Sequence, residues 1–176
     1  MTNYRRIKIK GATYFFTVNC ENRTDNSFLT RNIALLRQAF KETKKKHPFK
    51  IDAIVVLPDH LHCIWTLPDG DSEYAKRWTL IKSFFSRKIP ENESISKSRQ
   101  KRGERGIWQR RYWEHVIRDE TDLKSHIDYI HWNPVKHGYV NRVVEWPYSS
   151  FHNFVKAGIY QQDWGIAEEM LLSIPE

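Results

Sequence analysis

VVLPDHLHCIW, residues 55–65, carries two histidines one residue apart in an otherwise apolar run. Pro58 and Asp59 favour a turn, so the apolar residues on either side of them predict the two strands of a hairpin. Because side chains alternate along a strand, His60 and His62 lie on the same face of the predicted sheet. Two imidazoles on one rigid strand can reach the same divalent ion, so this spacing predicts half of a metal site.

The segments before the second hairpin strand predict two strands and a helix. GATYFFTVN, residues 11–19, is rich in threonine and aromatic residues, as strands are. An amphipathic helix is predicted from residue 32 onward, with lysines gathered in its last turns and an end before Pro48. IDAIVVL, residues 51–57, is apolar on both faces, which indicates a central strand.

The segments after the hairpin complete the predicted fold. A second amphipathic helix is indicated by four large residues at helical spacing, namely Tyr74, Trp78, Ile81 and Phe85. IWQRRYWEHVIR, residues 107–118, has enough aromatic and branched residues for a fourth strand. The order strand, helix, strand, strand, helix, strand predicts an α+β, ferredoxin-like split βαβ fold with a four-stranded antiparallel sheet.

An added helix is predicted after the sheet, capped by Thr121 and closed near Gly138. Its apolar face, expected to dock on the sheet, is Leu123, Ile127 and Ile130. Its polar face is Asp122, His126, Tyr129 and Asn133. Tyr129 and Asn133 are four residues apart, so both can meet the histidine pair. We expect one domain over residues 1–140 and a tail over residues 141–176 that packs back on it.

The composition favours a polyanionic partner. Lys and Arg total 29 against 21 Asp and Glu, which gives a formal net charge of +8 and makes nucleic acid the leading candidate. The chain starts without the apolar stretch of a signal peptide and contains no run long enough to span a bilayer, so we expect a cytoplasmic, nucleoid-associated protein without membrane contact. The two cysteines form no CxxC pair, and we expect Cys63 in the core.

A basic segment precedes the fourth strand. Residues 90–106 are polar and predict a mobile loop, and residues 97–111 contain seven Lys or Arg and one Glu. Cations can hold phosphates while an aromatic ring stacks an unpaired base. The candidate DNA-binding residues are Arg5, Arg6, Lys101, Arg102, Arg105, Trp108, Arg110 and Arg111. The tryptophans at 65, 78 and 113 match apolar stripes or strands, and we expect them in the core.

Four phrases together resemble a known family. They are YRRIKIKGATYFFTVN (residues 4–19), VVLPDHLHCIWTLP (55–68), WEHVIRDETDLKSHIDYIHWNPVKHGYV (113–140) and WPYSSF (146–151). A His-hydrophobic-His strand followed by a helix with one tyrosine looks like the HUH single-strand DNA nucleases with one catalytic tyrosine. Within that class the phrases are similar to the REP-associated tyrosine transposases, over about residues 4 to 164.

The resemblance implies a metal-dependent endonuclease and strand transferase that cleaves single-stranded DNA through a covalent 5′-phosphotyrosine. Tyr129 matches the family nucleophile, with His60, His62 and Asn133 as the metal ligands. Mg²⁺ or Mn²⁺ is the expected ion. The implied substrate is a hairpin of a repetitive extragenic palindrome with a short guide sequence beside it, and a monomer is favoured over a dimer.

Two other functions remain open from the residues alone. One is a nucleic-acid-binding module that recognises hairpins without cutting them. The other is a zinc hydrolase that uses the histidine pair and a carboxylate such as Asp59 or Asp128.

Tyr112 and Tyr139 are rival nucleophiles. Asn133 precedes Pro134, and residues before proline avoid the helical region. A ligand role is therefore less strongly indicated for Asn133 than for the two histidines.

Overall fold

The computed structural model describes residues 6–25 and 27–165. Four strands form one antiparallel sheet in the order β2–β3–β1–β4. Their bounds are β1 Thr13–Asn19, β2 Lys50–Val56, β3 His60–Thr66 and β4 Trp113–Val116. This order and direction confirm the predicted ferredoxin-like sheet.

Six α-helices are present in the described part of the chain. They are α1 Phe28–Arg31, α2 Ile33–Lys46, α3 Tyr74–Lys88, α4 Lys97–Lys101, α5 Glu120–Lys136 and α6 Phe151–Lys156. The two predicted amphipathic helices are α2 and α3, and the added C-terminal helix is α5. The short helices α1 and α4 were not expected from the sequence, because four or five residues give too little periodicity to detect. Among the described residues, no helix is long and apolar enough to cross a membrane.

The sheet has helices on both faces, and alternation along the strands assigns each residue to one of them. Phe16 and Trp65 lie on the face that packs against Trp78 of α3, and Cys63 is in this core as predicted. Phe15 and Ile64 lie on the opposite face with α5. The docking face predicted for α5 is confirmed, since the residues that pack there are Leu123, Ile127 and Ile130.

Helix α5 is longer than local preferences suggest. Its N-cap is Asp119, whose side chain accepts a backbone hydrogen bond from the first turn, and not the predicted Thr121. The helix runs through Pro134 and ends at Lys136, with Asn133 helical in spite of the proline that follows it. Packing against the sheet on one side and against the C-terminal segment on the other outweighs the local cost of the proline.

Strand β2 was expected in the centre of the sheet but lies at its edge. Its outer edge is covered by the chain after α5. The Val56 N–H donates to the Tyr148 carbonyl at 2.9 Å, and the Ser150 N–H donates to the Ile54 carbonyl at 2.8 Å. Covering an edge lets a strand be apolar on both faces without exposing a template for aggregation.

The segment after α5 packs on the outer side of that helix. Trp132 and Val135 of α5 form a third cluster with Val143 and Phe151, and Tyr160 and Trp164 pack against it. Tyr160 also donates a short hydrogen bond to Asp128. These contacts hold α5 between the sheet and the C-terminal segment; the division of the chain at residue 140 stays a prediction.

Candidate active site

The histidine pair lies on β3, on the sheet face that α5 covers. His60 is 3% exposed and His62 is 4% exposed, and their ring centroids are 5.0 Å apart. His60 Nδ1 lies 2.6 Å from Asp59 Oδ1, and His62 Nδ1 lies 2.8 Å from Thr17 Oγ1. Each ring is therefore held through Nδ1, which directs Nε2 away from its supporting partner. We call His60 and His62 the imidazole pair.

The protonation of the pair suits metal binding. Burial lowers the pKa of His60 in spite of the opposing bond to Asp59, and burial together with the neighbouring His60 holds the pKa of His62 well below its ordinary value. Burial raises the pKa of Asp59, but hydrogen bonds from Arg23 and His60 outweigh it and keep the carboxyl below its usual range. An ionised Asp59 only accepts, so the proton of His60 is on Nδ1 and the lone pair on Nε2.

Asn133 provides the observation that tests whether these residues fit a metal ion. It is fully buried on α5, beside His62. The nearby Asn133 amide opposes in part the lowering of the His62 pKa by burial, yet the two side chains do not meet the geometry of a hydrogen bond. Within the described residues, no group hydrogen-bonds His62 Nε2, Asn133 Oδ1 or Asn133 Nδ2. Buried polar atoms without partners are costly, and an imidazole nitrogen beside an amide oxygen is a donor set that suits a divalent cation.

Tyr129 lies one helical turn before Asn133 on the same face of α5. Its ring centroid is 5.3 Å from that of His62 and 6.1 Å from that of Phe15, and the side chain is half-buried. The Lys136 ammonium lies 5.1 Å from the Tyr129 ring centroid. Helix α5 thus brings the phenol of Tyr129, the amide of Asn133 and the ammonium of Lys136 close to the imidazole pair.

The rival tyrosines are placed differently. Tyr112 packs against the core on the other face of the sheet, where Arg6 stacks on its ring at 4.1 Å. Tyr139 follows α5 and stacks on Trp146 with ring centroids 5.4 Å apart. Of these three tyrosines, Tyr129 is the one whose ring touches the imidazole pair.

The carboxylates considered for a zinc site have other partners. Asp59 bonds His60 from behind and receives the Arg23 guanidinium at 2.6 Å, so it orients the imidazole. Asp128 pairs with Lys124 at 2.5 Å and with Tyr160, on the side of α5 that faces the C-terminal segment.

A second group of potential ligands lies further along the same face, in His115, Asp122 and His126, which we call the carboxylate-bridged cluster. Its ligand-type atoms lie within 4.8 Å of one another. His115 Nε2 is 2.8 Å from Asp122 Oδ2, and His126 Nδ1 is 3.1 Å from Asp122 Oδ1. Arg118 also donates to Asp122 through its backbone N–H at 2.9 Å. The sequence placed Asp122 and His126 on one polar stripe with Tyr129, but the structure directs them to this separate cluster.

Of the predicted DNA-binding residues, Trp108 is buried and Arg105 is half-buried among partners within the protein. Trp108 is 6% exposed and packs in the core beside Phe85, because the chain on both sides of it pairs with the end of β1. Arg105 bonds Glu93 and the carbonyls of residues 86, 89 and 90 through all of its guanidinium nitrogens. Trp108 therefore offers little ring surface to a base in this structure, and the Arg105 guanidinium is bound by groups of the protein; their DNA-binding roles stay predictions.

The remaining basic candidates lie at the surface or in ion pairs. Lys101 and Arg111 are exposed, while Arg102 and Arg110 are exposed near Glu104, 4.0 Å and 2.6 Å away. Arg6 contacts Tyr112 and Glu114 beside β4, and Arg5 lies outside the described residues. The segment from residue 90 to 106 was expected to lack structure, but α4 and the buried Arg99, paired with Glu21 at 2.8 Å, give it a fixed course.

Sequence reasoning missed the groups that orient the pair. Thr17 pairs directly with His62 across β1 and β3, a register that sequence alone does not give. His137 is not among the predicted site residues, yet its ring centroid is 5.2 Å from that of His60. Its position just past the end of α5 and four residues after Asn133 was the available signal.

Comparisons with known proteins find relatives over most of the chain. The family described as "Transposase IS200 like" matches residues 9–133. An Escherichia coli protein named REP-associated tyrosine transposase is 47% identical over 164 residues, which cover 93% of this chain and 91% of that protein. A Haemophilus influenzae relative that carries the same name provisionally is 53% identical over 166 residues, or 94% of each chain.

A solved structure is also similar. It is that of a REP-associated tyrosine transposase bound to a REP hairpin, with a TM-score of 0.80 and 47% identity over 93% of this chain and 91% of that one. Members of the family are DNA-cleaving enzymes that generally depend on a divalent metal ion. Similarity of this extent shows that the chain belongs to the IS200-like transposase family, and within it to the REP-associated tyrosine transposases.

Proposed function

We propose that this transposase is a divalent-metal-dependent endonuclease and strand transferase for single-stranded DNA, with Tyr129 as the nucleophile and His60, His62 and Asn133 as the metal ligands. The observation that carries the proposal is the set of buried, unpartnered atoms on His62 and Asn133 directly beside the Tyr129 ring. Buried polar atoms that lack partners and lie close together support a bound cation at this place.

The proposed reaction is an in-line displacement at phosphorus. The Tyr129 oxygen loses its proton and forms a bond to the scissile phosphorus, and the bond from phosphorus to the 3′-oxygen breaks. The released 3′-oxygen takes up a proton, so a free 3′-hydroxyl and a 5′-phosphotyrosine result. The new ester keeps the energy of the original phosphodiester, so a DNA 3′-hydroxyl can reverse the attack and join strands without ATP.

The donor set favours a hard-to-borderline ion. Two imidazoles and an amide oxygen leave coordination positions for phosphate oxygen and water, and Mg²⁺ or Mn²⁺ fits this description. When bound, the ion polarises the scissile phosphate and spreads its developing negative charge. The role of the protein is to fix the ligands: Asp59 and Thr17 hold the two imidazoles from behind.

The proposed substrate is a REP-type hairpin with an adjacent guide sequence, bound by a monomer at chromosomal DNA. The similar structure that contains a REP hairpin supports the hairpin, and the net charge of +8 supports a DNA partner. Of the basic candidates, the exposed residues Lys101, Arg102, Arg110 and Arg111 are the proposed phosphate contacts, together with Arg6.

A denaturing gel tests the proposal. Labelled hairpin DNA with single-stranded flanks is incubated with the protein and Mn²⁺ or Mg²⁺. We expect a slow covalent band in the wild type and in Tyr112→Phe, and none in Tyr129→Phe or in the presence of EDTA. Binding in a native gel without any covalent band would favour a module that does not cut. DNA hydrolysis with tightly bound zinc and no covalent band would favour the zinc hydrolase.

A further inference from the structure

The sheet face that carries the imidazole pair is not evenly covered. Helix α5 packs mainly over β2 and β3, whereas β4 at the far edge has a tryptophan that solvent reaches. Trp113 is 53% exposed, although its strand position suggested a core residue. Trp65 and Trp78, which were also expected in the core, are buried there. The exposure of the Trp113 indole on this open part of the active-site face means that packing in the core does not explain it.

Strand register places this indole in line with the proposed site. Trp113 lies directly opposite Thr17 on β1, and Thr17 lies directly opposite His62 on β3. Neighbouring strands are about 4.8 Å apart, so the Trp113 backbone is about 10 Å from that of His62 across one face. The Phe15 ring bridges the gap, with its centroid 5.6 Å from that of Trp113 and 5.7 Å from that of His62.

The Trp113 ring is supported by other rings. Its centroid is 5.9 Å from that of His115, with an angle of 4° between the planes, and His115 stacks in turn on His126 at 4.7 Å. Asp122 holds both imidazoles, since its carboxylate bonds His115 Nε2 at 2.8 Å and its backbone carbonyl bonds His126 Nδ1 at 2.8 Å. A ring held in place loses little conformational entropy when a ligand binds on it, which favours a rigid platform.

We propose that Trp113, backed by His115 and His126, is the stacking platform for an unpaired nucleobase beside the scissile phosphate. Aromatic side chains bind single-stranded nucleic acid in this way, with nearby cations on the backbone phosphates. Two exposed arginines adjoin β4 and can supply such cations: Arg111 precedes the strand, and Arg118, whose Nε lies 3.3 Å from Asp122 Oδ2, follows it. The inference rests on the proposed function, because the position of the base is defined relative to the phosphate that Tyr129 attacks.

The test is a coupling experiment between protein and DNA. Binding of hairpin DNA with single-stranded flanks is measured in the Tyr129→Phe background, which prevents cleavage. One abasic site is moved through the positions on both sides of the scissile phosphate. Each DNA is combined with the additional substitution Trp113→Ala, with Trp113→Phe as the ring-preserving variant, and with Ile159→Ala as a control that also removes an exposed apolar side chain.

We expect Trp113→Ala to weaken binding of the intact strand roughly 10-fold, with Trp113→Phe recovering most of the loss. An abasic site at one position should cause the same loss, and Trp113→Ala should add nothing further there. Ile159→Ala should change nothing. The proposal would be overturned if every abasic position weakened binding equally and additively with Trp113→Ala. It would also be overturned if Trp113→Ala left the affinity unchanged.

The outcome is distinguishable from failure of the proposed function. A covalent band formed by the wild type reports the nuclease activity whether or not Trp113 couples to a base. If that band is absent, coupling at one position still supports stacking of an unpaired base on Trp113, but overturns its placement beside a scissile phosphate. If the band is present and no position couples, only the platform is wrong.

Discussion

Two groups of histidines lie on one face of the sheet and differ in what their ring nitrogens bond. In the imidazole pair, Nδ1 of each ring is held by Asp59 or Thr17, and Nε2 of His62 has no partner among the described residues. In the carboxylate-bridged cluster, His115 and His126 both turn a nitrogen toward Asp122. The feature that indicates a metal site is therefore an imidazole whose Nδ1 is hydrogen-bonded while its Nε2 has no partner. The number of histidines in a group is not by itself informative.

The electrostatics of the two groups follow the same difference. Burial keeps the pair neutral at neutral pH, which suits ligands. Burial raises the pKa of Asp122, but hydrogen bonds from His115 and Arg118 outweigh it and bring the pKa to about 2. A carboxylate so strongly engaged by hydrogen-bond donors is held in place by the protein itself. The imidazole pair thus leaves a buried nitrogen unpaired among the described residues, whereas the ring nitrogens that face Asp122 in the cluster are bonded within the protein.

The largest expected effect separates the two groups directly. We expect His62→Ala to weaken Mn²⁺ binding by roughly 100-fold or more, because it removes a ligand. The matched variant His126→Ala should leave Mn²⁺ affinity nearly unchanged. Isothermal titration calorimetry of both variants measures this. Retained binding in His62→Ala with loss in His126→Ala would move the metal site to the cluster.

Asn133→Leu should have opposite effects with and without metal. Leucine has a similar size and removes two buried amide atoms that lack partners, so we expect the free energy of unfolding in EDTA to rise by about 1–3 kcal/mol. The stabilisation that Mn²⁺ adds to the wild type should be lost. Urea unfolding with EDTA or Mn²⁺ measures both quantities.

Asn32 offers the control for that variant, since its amide donates to the Phe28 carbonyl at 2.9 Å. Asn32→Leu should lower or leave unchanged the free energy of unfolding, and it should keep the Mn²⁺ stabilisation. A destabilised Asn133→Leu protein in EDTA would mean that the Asn133 amide is already satisfied.

Thr17→Val tests the support behind the pair. Valine keeps the shape of threonine but removes the hydroxyl bonded to His62 Nδ1, and loss of such an orienting bond costs about 10- to 100-fold in metal affinity. Thr13→Val removes a similar bond to Thr66, away from the pair, and should not change Mn²⁺ affinity. Equal affinities in the two variants would show that the hydroxyl does not orient the ring.

The smallest expected effect is on the cluster and depends on pH. The carboxyl of Asp122 has a pKa of about 2 in the folded protein against about 3.9 in an unfolded chain. Its charge therefore stabilises the fold above pH 4, and this contribution disappears as the pH falls toward 2. We expect Asp122→Asn to be about 1–2 kcal/mol less stable at pH 7, with the difference shrinking below pH 4 in urea unfolding.

Much of the fold could be predicted from the sequence, because the informative patterns are local. Alternation along β3 placed His60 and His62 on one face, and the helical spacing of α5 placed Tyr129 and Asn133 together. The support from Thr17 could not be predicted, since it depends on the register between two strands.

The tryptophans show where local patterns end. Trp108 was expected at the surface, but its segment extends the pairing beside β1 and buries it. Trp113 was expected in the core, but it lies on an edge strand that α5 leaves partly open. Burial of a strand residue depends on what covers the sheet, and that is decided by elements distant in sequence.

The most direct measurement is the identity of the residue that carries DNA after cleavage. The covalent complex is digested with trypsin and nuclease, and the modified peptide is identified by mass spectrometry. Cleavage after Lys124 and Lys136 gives SHIDYIHWNPVK, a peptide with one tyrosine. We expect a nucleotide on this peptide at Tyr129. A nucleotide on the peptide that contains Tyr112 or Tyr139 would contradict this expectation.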